Sequence, residues 1–206
     1  MKKIVDDLIS TGISNIEQIF ETDLLEELHK EILKYDQEND LQNAKIGRLK
    51  NHVLAQKIRR DKIKWLDGNT SAQKSFFEKL EYMRVELNKS LMLGLFDIEA
   101  HFAVYKKGDF YKKHHDSFKG NENRIISLVI YLNKNWQEND GGVLNIYKNL
   151  DDDKAISSVS PKWGKAILFL SEEVPHEVTM SNKTRYSIAA WFRVRQTLFP
   201  NIDSIK

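Results

Sequence analysis

Three residues carry the most specific chemistry in this chain: His114, Asp116 and His176. The first two sit in His114-His115-Asp116, the third in Pro175-His176-Glu177-Val178. On an extended segment residues i and i+2 project to the same side, so His114 and Asp116 can grip one ion while His115 points away. Two imidazoles and one carboxylate on one face are the donor set that holds non-haem iron(II) and leaves coordination positions open. There is no cysteine, which excludes disulfides, thiolate metal sites and thiol catalysis, and leaves His, Asp and Glu as the only metal ligands.

Arg185 follows His176 by nine residues, in Thr184-Arg185-Tyr186. On neighbouring strands that spacing can bring a guanidinium into the same pocket, and its planar fork suits a carboxylate. A cosubstrate that chelates iron at one end and carries a carboxylate at the other needs such a residue, and 2-oxoglutarate has that shape. Taken singly, each residue has an ordinary reading: a surface histidine, a turn aspartate, a satisfied core histidine. H-x-D occurs by chance in many chains; three spaced elements in order, in a strand-rich stretch, are a stronger signal.

The elements that must position these groups are legible in outline. Leu24, Leu25, Leu28, Ile32 and Leu33 recur at helical spacing after a Thr22-Asp23 N-cap candidate, with Glu26 placed for a capping box. This helix fades in the polar stretch 37–43. Phe76, Leu80, Met83, Leu87 and Leu91 line one face of a second helix over 71–93, with Ser71 or Thr70 as its cap. From about residue 97 the period changes to two: Ile98, Ala100, Phe102 and Val104 alternate, and Ile125–Leu132 is a continuous apolar run. Asn139-Asp140-Gly141-Gly142 is a turn followed by a strand over Val143–Tyr147, and Ala166–Leu170 and Tyr186–Val194 are two more. Short strands at this spacing predict a sandwich or barrel with helices from the first half packed on it, in one domain.

The 206 residues suit one domain, and 41% hydrophobic residues suffice for a core. No apolar run approaches the ~18 residues that span a bilayer. Two acids follow at once on Ile4-Val5, which argues against a signal peptide and makes the cytoplasm the expected location. A net charge of +2 is too balanced to suggest nucleic-acid binding. The charge is uneven, however: Lys45, Arg48, Lys50, Lys57, Arg59, Arg60, Lys62 and Lys64 stand against Asp61 alone over residues 45–64. That segment reads as a solvated surface or as a basic lip facing an acidic partner.

Several segments together resemble a known family. They are Ile58–Trp65, Tyr111–Asp116, Ile130–Trp136, Gly141–Leu144, Pro175–Val178 and Thr184–Tyr186. The chain resembles the prolyl-hydroxylase branch of the 2-oxoglutarate oxygenases over residues 56–195. It is similar to the hypoxia-inducible-factor prolyl hydroxylases and more so to their small bacterial relatives, which include an enzyme acting on elongation factor Tu. The resemblance implies a double-stranded β-helix, a jelly roll with supporting N-terminal helices, in the α+β but mainly β class. Residues 1–206 then form a single oxygenase domain, with 1–95 as helix-rich support carrying a substrate loop near 56–70 and 96–195 as the jelly-roll core with the metal site.

The resemblance also implies roles. His114, Asp116 and His176 match the iron ligands. Arg185 matches the partner of the far carboxylate of 2-oxoglutarate. Tyr131 matches a tyrosine that hydrogen-bonds the same group, and Tyr105 another residue near it; core packing is the alternative for both tyrosines. Leu144 and Trp191 match apolar walls. Arg59, Arg60, Asp61 and Trp65 fall in a segment that matches a mobile loop folding over the substrate, although hypoxia-sensing members carry glycine where Arg60 stands. Asp61 and Arg124 match a salt-bridged pair. The implied cofactors are Fe(II), 2-oxoglutarate and dioxygen, and the resemblance admits ascorbate binding. The implied reaction is prolyl 4-hydroxylation of an acidic or loop-presented protein segment, with elongation factor Tu a first candidate and no membrane partner. The residues alone leave other readings open: an oxygenase of another amino acid, a nucleobase or a metabolite, a metal-binding sensory module, or a structural jelly roll with coincidental histidines.

Overall fold

The computed structural model describes residues 1–44, 56–117 and 123–195. In chain order the elements are α1 (Lys2–Thr11), β1 (Ile13–Ile16), α2 (Thr22–Gln37), β2 (Gln42–Asn43), β3 (Lys62–Trp65), α3 (Ser71–Leu91), β4 (Leu95–Tyr105), β5 (Tyr111–His114) and β6 (Arg124–Tyr131). There follow β7 (Leu144–Ile146), β8 (Ser157–Val159), β9 (Ala166–Leu170), β10 (His176–Val178) and β11 (Arg185–Val194). Among the described residues no helix is long and apolar enough to cross a membrane.

The strands form two antiparallel sheets, the arrangement of a jelly roll. The major sheet has the order β1-β9-β6-β11-β4-β3-β2 and the minor sheet β5-β10-β7-β8. Strand parity divides the major sheet into two faces. Ala100, Phe102 and Val104 of β4, Ile126, Leu128 and Ile130 of β6, and Ile188, Ala190 and Phe192 of β11 pack in one core with the helices. Their neighbours in the chain, Ala103, Tyr105 and Tyr131, join Leu144, Ile146 and Phe169 in a second core between the sheets. The apolar run of β6, interrupted by Ser127, follows, because both of its faces are covered.

The helices meet the first core through one stripe each. Leu24, Leu25, Leu28 and Ile32 of α2 and Phe76, Leu80, Met83 and Leu87 of α3 are buried, spaced three, four or one apart. Truncating one of these fully buried side chains to alanine costs about 2–5 kcal/mol. Thr70 caps α3 by accepting a hydrogen bond from the Gln73 amide at 3.1 Å. The cap expected for α2 is corrected: Glu21 is its N-cap and makes no side-chain capping bond, while Thr22 and Asp23 lie in the first turn.

The first half is less purely helical than its periodicity suggests. β1 pairs with β9, and β3 pairs with β4 in the register Lys62↔Val104 to Trp65↔His101. Within the segment Arg59–Trp65, expected as a mobile loop, Lys62–Trp65 takes strand conformation and Arg59 forms an isolated bridge with Tyr111. Four-residue strands such as Lys-Ile-Lys-Trp are too short for a distinctive period, and an existing sheet edge decides their state.

Candidate metal and cosubstrate site

β5 and β10 pair so that His114 and His176 are directly opposite each other. Their rings lie 4.3 Å apart between centroids. The chain bends after His114, so strand parity is not what brings Asp116 round. The bend is pinned instead by the end of β9, where the carbonyl of Ser171 accepts the amides of Asp116 at 3.1 Å and Ser117 at 3.2 Å. Asp116 Oδ1 then lies 3.6 Å from His114 Nε2, and Oδ2 lies 3.7 Å from His176 Nε2. One ligand atom from each of the three residues lies within 4.8 Å of the others.

The protonation of this cluster suits a cation. His114 Nδ1 is 2.7 Å from the carbonyl of Lys112 and His176 Nδ1 is 3.0 Å from that of Val174. A carbonyl only accepts, so each Nδ1 carries the proton and each Nε2 presents a lone pair to the centre. Burial, followed by neighbouring His114, pushes the His176 pKa down to about 4, which keeps it neutral. Burial alone would raise the Asp116 carboxyl, but the positive charge that the His176 and His114 rings carry when protonated, together with the Ser127 hydroxyl, outweighs it and holds the pKa well below the usual carboxylate value. Ser127 Oγ donates to Asp116 Oδ2 at 2.7 Å and lies 2.8 Å from Ser171 Oγ.

These three residues open on a cavity of about 600 Å³ between the sheets. Tyr105, Leu144, Arg185 and Trp191 all line it. Arg185 is only 1% exposed. Its Nε donates to the carbonyl of Gly142 at 3.0 Å and its Nη1 to Ser187 Oγ at 2.9 Å. The guanidinium lies 4.8 Å from the ring centre of Tyr105 and 5.1 Å from that of Tyr131. Among the described residues it has no carboxylate partner, and Nη2 has no hydrogen bond. The Tyr131 hydroxyl is buried beside Arg185 with no hydrogen bond of good geometry among the described residues, and burial, partly offset by Arg185, raises its pKa to about 12, so it remains a donor.

Residues 100–193 match the 2OG-Fe(II) oxygenase superfamily. A solved Pseudomonas putida prolyl-4-hydroxylase superposes with a TM-score of 0.82 at 37% identity, covering 93% of this chain and 97% of that one.

The chain belongs to the 2OG-Fe(II) oxygenase superfamily.

Human prolyl hydroxylase EGLN3 is 31% identical over 148 residues, which are 68% of this chain and 61% of that protein, so this chain accounts for less than two thirds of its relative's length. A Trichoplax adhaerens prolyl hydroxylase, solved with a peptide of the hypoxia-inducible-factor oxygen degradation domain, superposes at a TM-score of 0.83 with 25% identity, covering 93% of this chain and 88% of that one. For a 2OG-Fe(II) oxygenase the implied groups are Fe(II), 2-oxoglutarate and dioxygen. The His114–Asp116–His176 donor set fits iron, and the unpaired Arg185 and Tyr131 donors fit a distant carboxylate.

The expected substrate-side residues of this oxygenase are only partly brought together. Arg59, Trp65 and Arg124 line the cavity, whereas Arg60 and Asp61 lie in an adjoining recess. The expected Asp61–Arg124 pair is corrected. Asp61 is buried and takes a two-pronged bond from Arg59, at 2.8 and 2.6 Å. Arg124 instead pairs with Glu99 at 2.6 Å and stacks 3.7 Å above Trp191. The reason is reach: Arg59 is two residues from Asp61, while Arg124 opens β6 and extends across Trp191 of the intervening β11 to Glu99 of β4. Arg60 lies over Phe110 and donates to the Gln56 carbonyl. The basic lip is also smaller than the residue count suggests, since Lys64 is paired with Asp40 at 2.7 Å. Lys45, Arg48 and Lys50 lie outside the described residues.

Several supporting residues carry no signal in spacing. Ser127 and Ser171 come from different strands to hold Asp116. Asn133 acts as a clamp: its Oδ1 accepts the Tyr186 amide at 2.6 Å, while its Nδ2 donates to the carbonyls of Tyr186 at 3.0 Å and Pro161 at 2.8 Å. That clamp fixes the strand next to Arg185. His101, in the cavity wall, was also unmarked.

Proposed function

We propose that this protein is an Fe(II)- and 2-oxoglutarate-dependent prolyl 4-hydroxylase of a polypeptide substrate. One observation carries the cosubstrate reading. Arg185 is a buried cation with no carboxylate partner among the described residues, and it shares a cavity with His114, Asp116 and His176. A buried charge without a counter-ion is costly, and an anionic ligand relieves that cost.

His114, Asp116 and His176 would hold the iron, which with 2-oxoglutarate and dioxygen supplies the oxidising chemistry. Arg185 and the Tyr131 hydroxyl would bind the far carboxylate of 2-oxoglutarate. The Gly142 carbonyl and Ser187 hydroxyl keep the guanidinium in its orientation. Leu144 and Tyr105 exclude water from that end of the cavity. Trp65, Trp191 and Arg124 stand at the substrate side.

The prolyl assignment is supported by relatives that are prolyl hydroxylases, and the polypeptide substrate by the peptide held by the Trichoplax protein. The substrate segment is loop-presented or acidic, and elongation factor Tu in the cytoplasm is the first candidate. The test is to supply iron, 2-oxoglutarate and air with elongation factor Tu and a panel of proline peptides. One oxygen is expected on a proline, at C4, with matching succinate. Oxygen on another residue type, or succinate release that no polypeptide stimulates, overturns the assignment.

A further inference from the structure

His101 is a buried ring in the cavity wall that neither the metal site nor the cosubstrate pocket uses. It is 4% exposed. Its ring lies 5.0 Å from Trp65 and 5.1 Å from Trp191, between centroids. It stands four residues from Tyr105 on β4, with Ala103 between them on the same inner face. At about 3.3 Å per residue that is roughly 13 Å along the strand. The five-carbon chain of 2-oxoglutarate spans only about 6 Å, from four C–C bonds of about 1.5 Å each. A diacid seated on Arg185 therefore leaves His101 to whatever enters from the other side.

The ring's tautomer is set locally. Nδ1 lies 3.1 Å from the carbonyl of Phe102, so it carries the proton and Nε2 holds a lone pair. Among the described residues Nε2 has no partner. The neighbouring Trp191 Nε1 is buried, and it too has no partner. Among the described residues the wall thus offers the His101 Nε2 acceptor to a ligand, whereas the Trp191 donor beside it is covered.

We infer that His101 is a specificity-determining residue, its Nε2 accepting a hydrogen bond from a backbone N–H that flanks the target proline and lies against the packed Trp65–His101–Trp191 rings. The proline itself has no N–H to give, so the bond reads a neighbouring residue. Burial, then the nearby Arg59, push the His101 pKa down to about 4, so the ring stays a neutral acceptor at ordinary pH. A wall of carbon would bind the same aromatic-lined slot without this requirement. The inference rests on the polypeptide reading of the site.

The experiment uses a proline peptide that the wild-type protein hydroxylates, and a set of its analogues in which each amide near the proline is replaced in turn by an ester. His101→Phe removes the acceptor and keeps a flat ring; His101→Gln keeps an acceptor. One lost hydrogen bond should raise the peptide KM roughly 3- to 10-fold. That rise is expected in His101→Phe with kcat little changed, and it should be smaller in His101→Gln. Iron and 2-oxoglutarate Kd values should stay within about two-fold of wild type. One ester should weaken wild type by the same factor and leave His101→Phe unaffected. Equal peptide KM values in wild type and His101→Phe overturn the inference, as does an ester scan with no position silenced by the substitution. Should His101→Phe fail to fold, His101→Leu, which also lacks the acceptor, is carried through the same ester set with the same expectations. If no proline peptide is turned over by wild type, the polypeptide reading falls, and this inference with it.

Discussion

The carbonyl of Gly142 accepts a hydrogen bond from Arg185 Nε at 3.0 Å, and the absence of a side chain on Gly142 is what permits the approach. A Cβ there would come within 2.9 Å of Arg185 Cδ and of Ser181 Oγ. The residue also has φ +59°, in the left-handed region, where a side chain adds roughly 1–2 kcal/mol. Gly142→Ala is expected to displace the guanidinium and raise the 2-oxoglutarate Kd at least tenfold, with a modest fall in Tm. Calorimetric titration of the metal-loaded protein checks this, and an unchanged Kd would separate Arg185 from the cosubstrate.

Ser127→Ala removes the hydroxyl that orients Asp116 Oδ2. Groups that hold a ligand from behind are worth about 10–100-fold in metal affinity. A loss of that size is expected in an anaerobic Fe(II) or Co(II) titration, with secondary structure retained by circular dichroism. Wild-type affinity would mean that the bend at Ser171 alone places the carboxylate.

The Arg59–Asp61 pair is buried on the acid's side, with the Asp61 side chain fully covered. Removing one partner of a buried pair leaves an uncompensated charge and costs about 3–5 kcal/mol. Asp61→Ala is expected to lose that much in urea unfolding. Arg124→Met, which breaks a half-exposed pair and a ring contact, should lose only about 1–2 kcal/mol. Equal losses would place Asp61 with Arg124 after all.

His101 also makes stability depend on pH. Its pKa is about 4 in the folded protein against 6.5 when unfolded. Between those values the unfolded chain binds a proton that the native state refuses, so stability falls as pH drops from 6.5 to 4 and levels off below. The fully developed contribution is of order 3 kcal/mol, at 1.36 kcal/mol per pH unit. Urea unfolding of metal-free protein across this range should be less steep in His101→Phe by about one proton. Parallel curves for variant and wild type would mean that the ring ionises freely in its wall.

The metal site was legible because its signal is chemical and local. The chain has only six histidines, and the order of His114, Asp116 and His176 along a strand-rich stretch narrows what they can bind. Helical spacing exposed the buried stripes of α2 and α3, and alternation exposed β4, because a periodic face must be buried. β9 was legible for a different reason: Ala166–Leu170 is an unbroken apolar run, as a strand covered on both faces requires. Shorter elements left no such trace: β1 and β3 owe their state to the open edges of a sheet built by strands far away in the chain. Their four residues hold too few periods to declare one.

What only the folded chain decided is which charges find each other and what supports each ligand. Sequence spacing placed His114 and Asp116 together by strand parity, whereas a bend tied to Ser171 brings Asp116 round. Asp61 turned to Arg59 and Arg124 to Glu99, since pairing follows distance and burial after folding. The close approach of Gly142 and, among the described residues, the unpaired state of Arg185 and the free Nε2 of His101 belong to the same class. Residue type and period are properties of the chain alone, but the presence or absence of a partner is a property of three-dimensional neighbours.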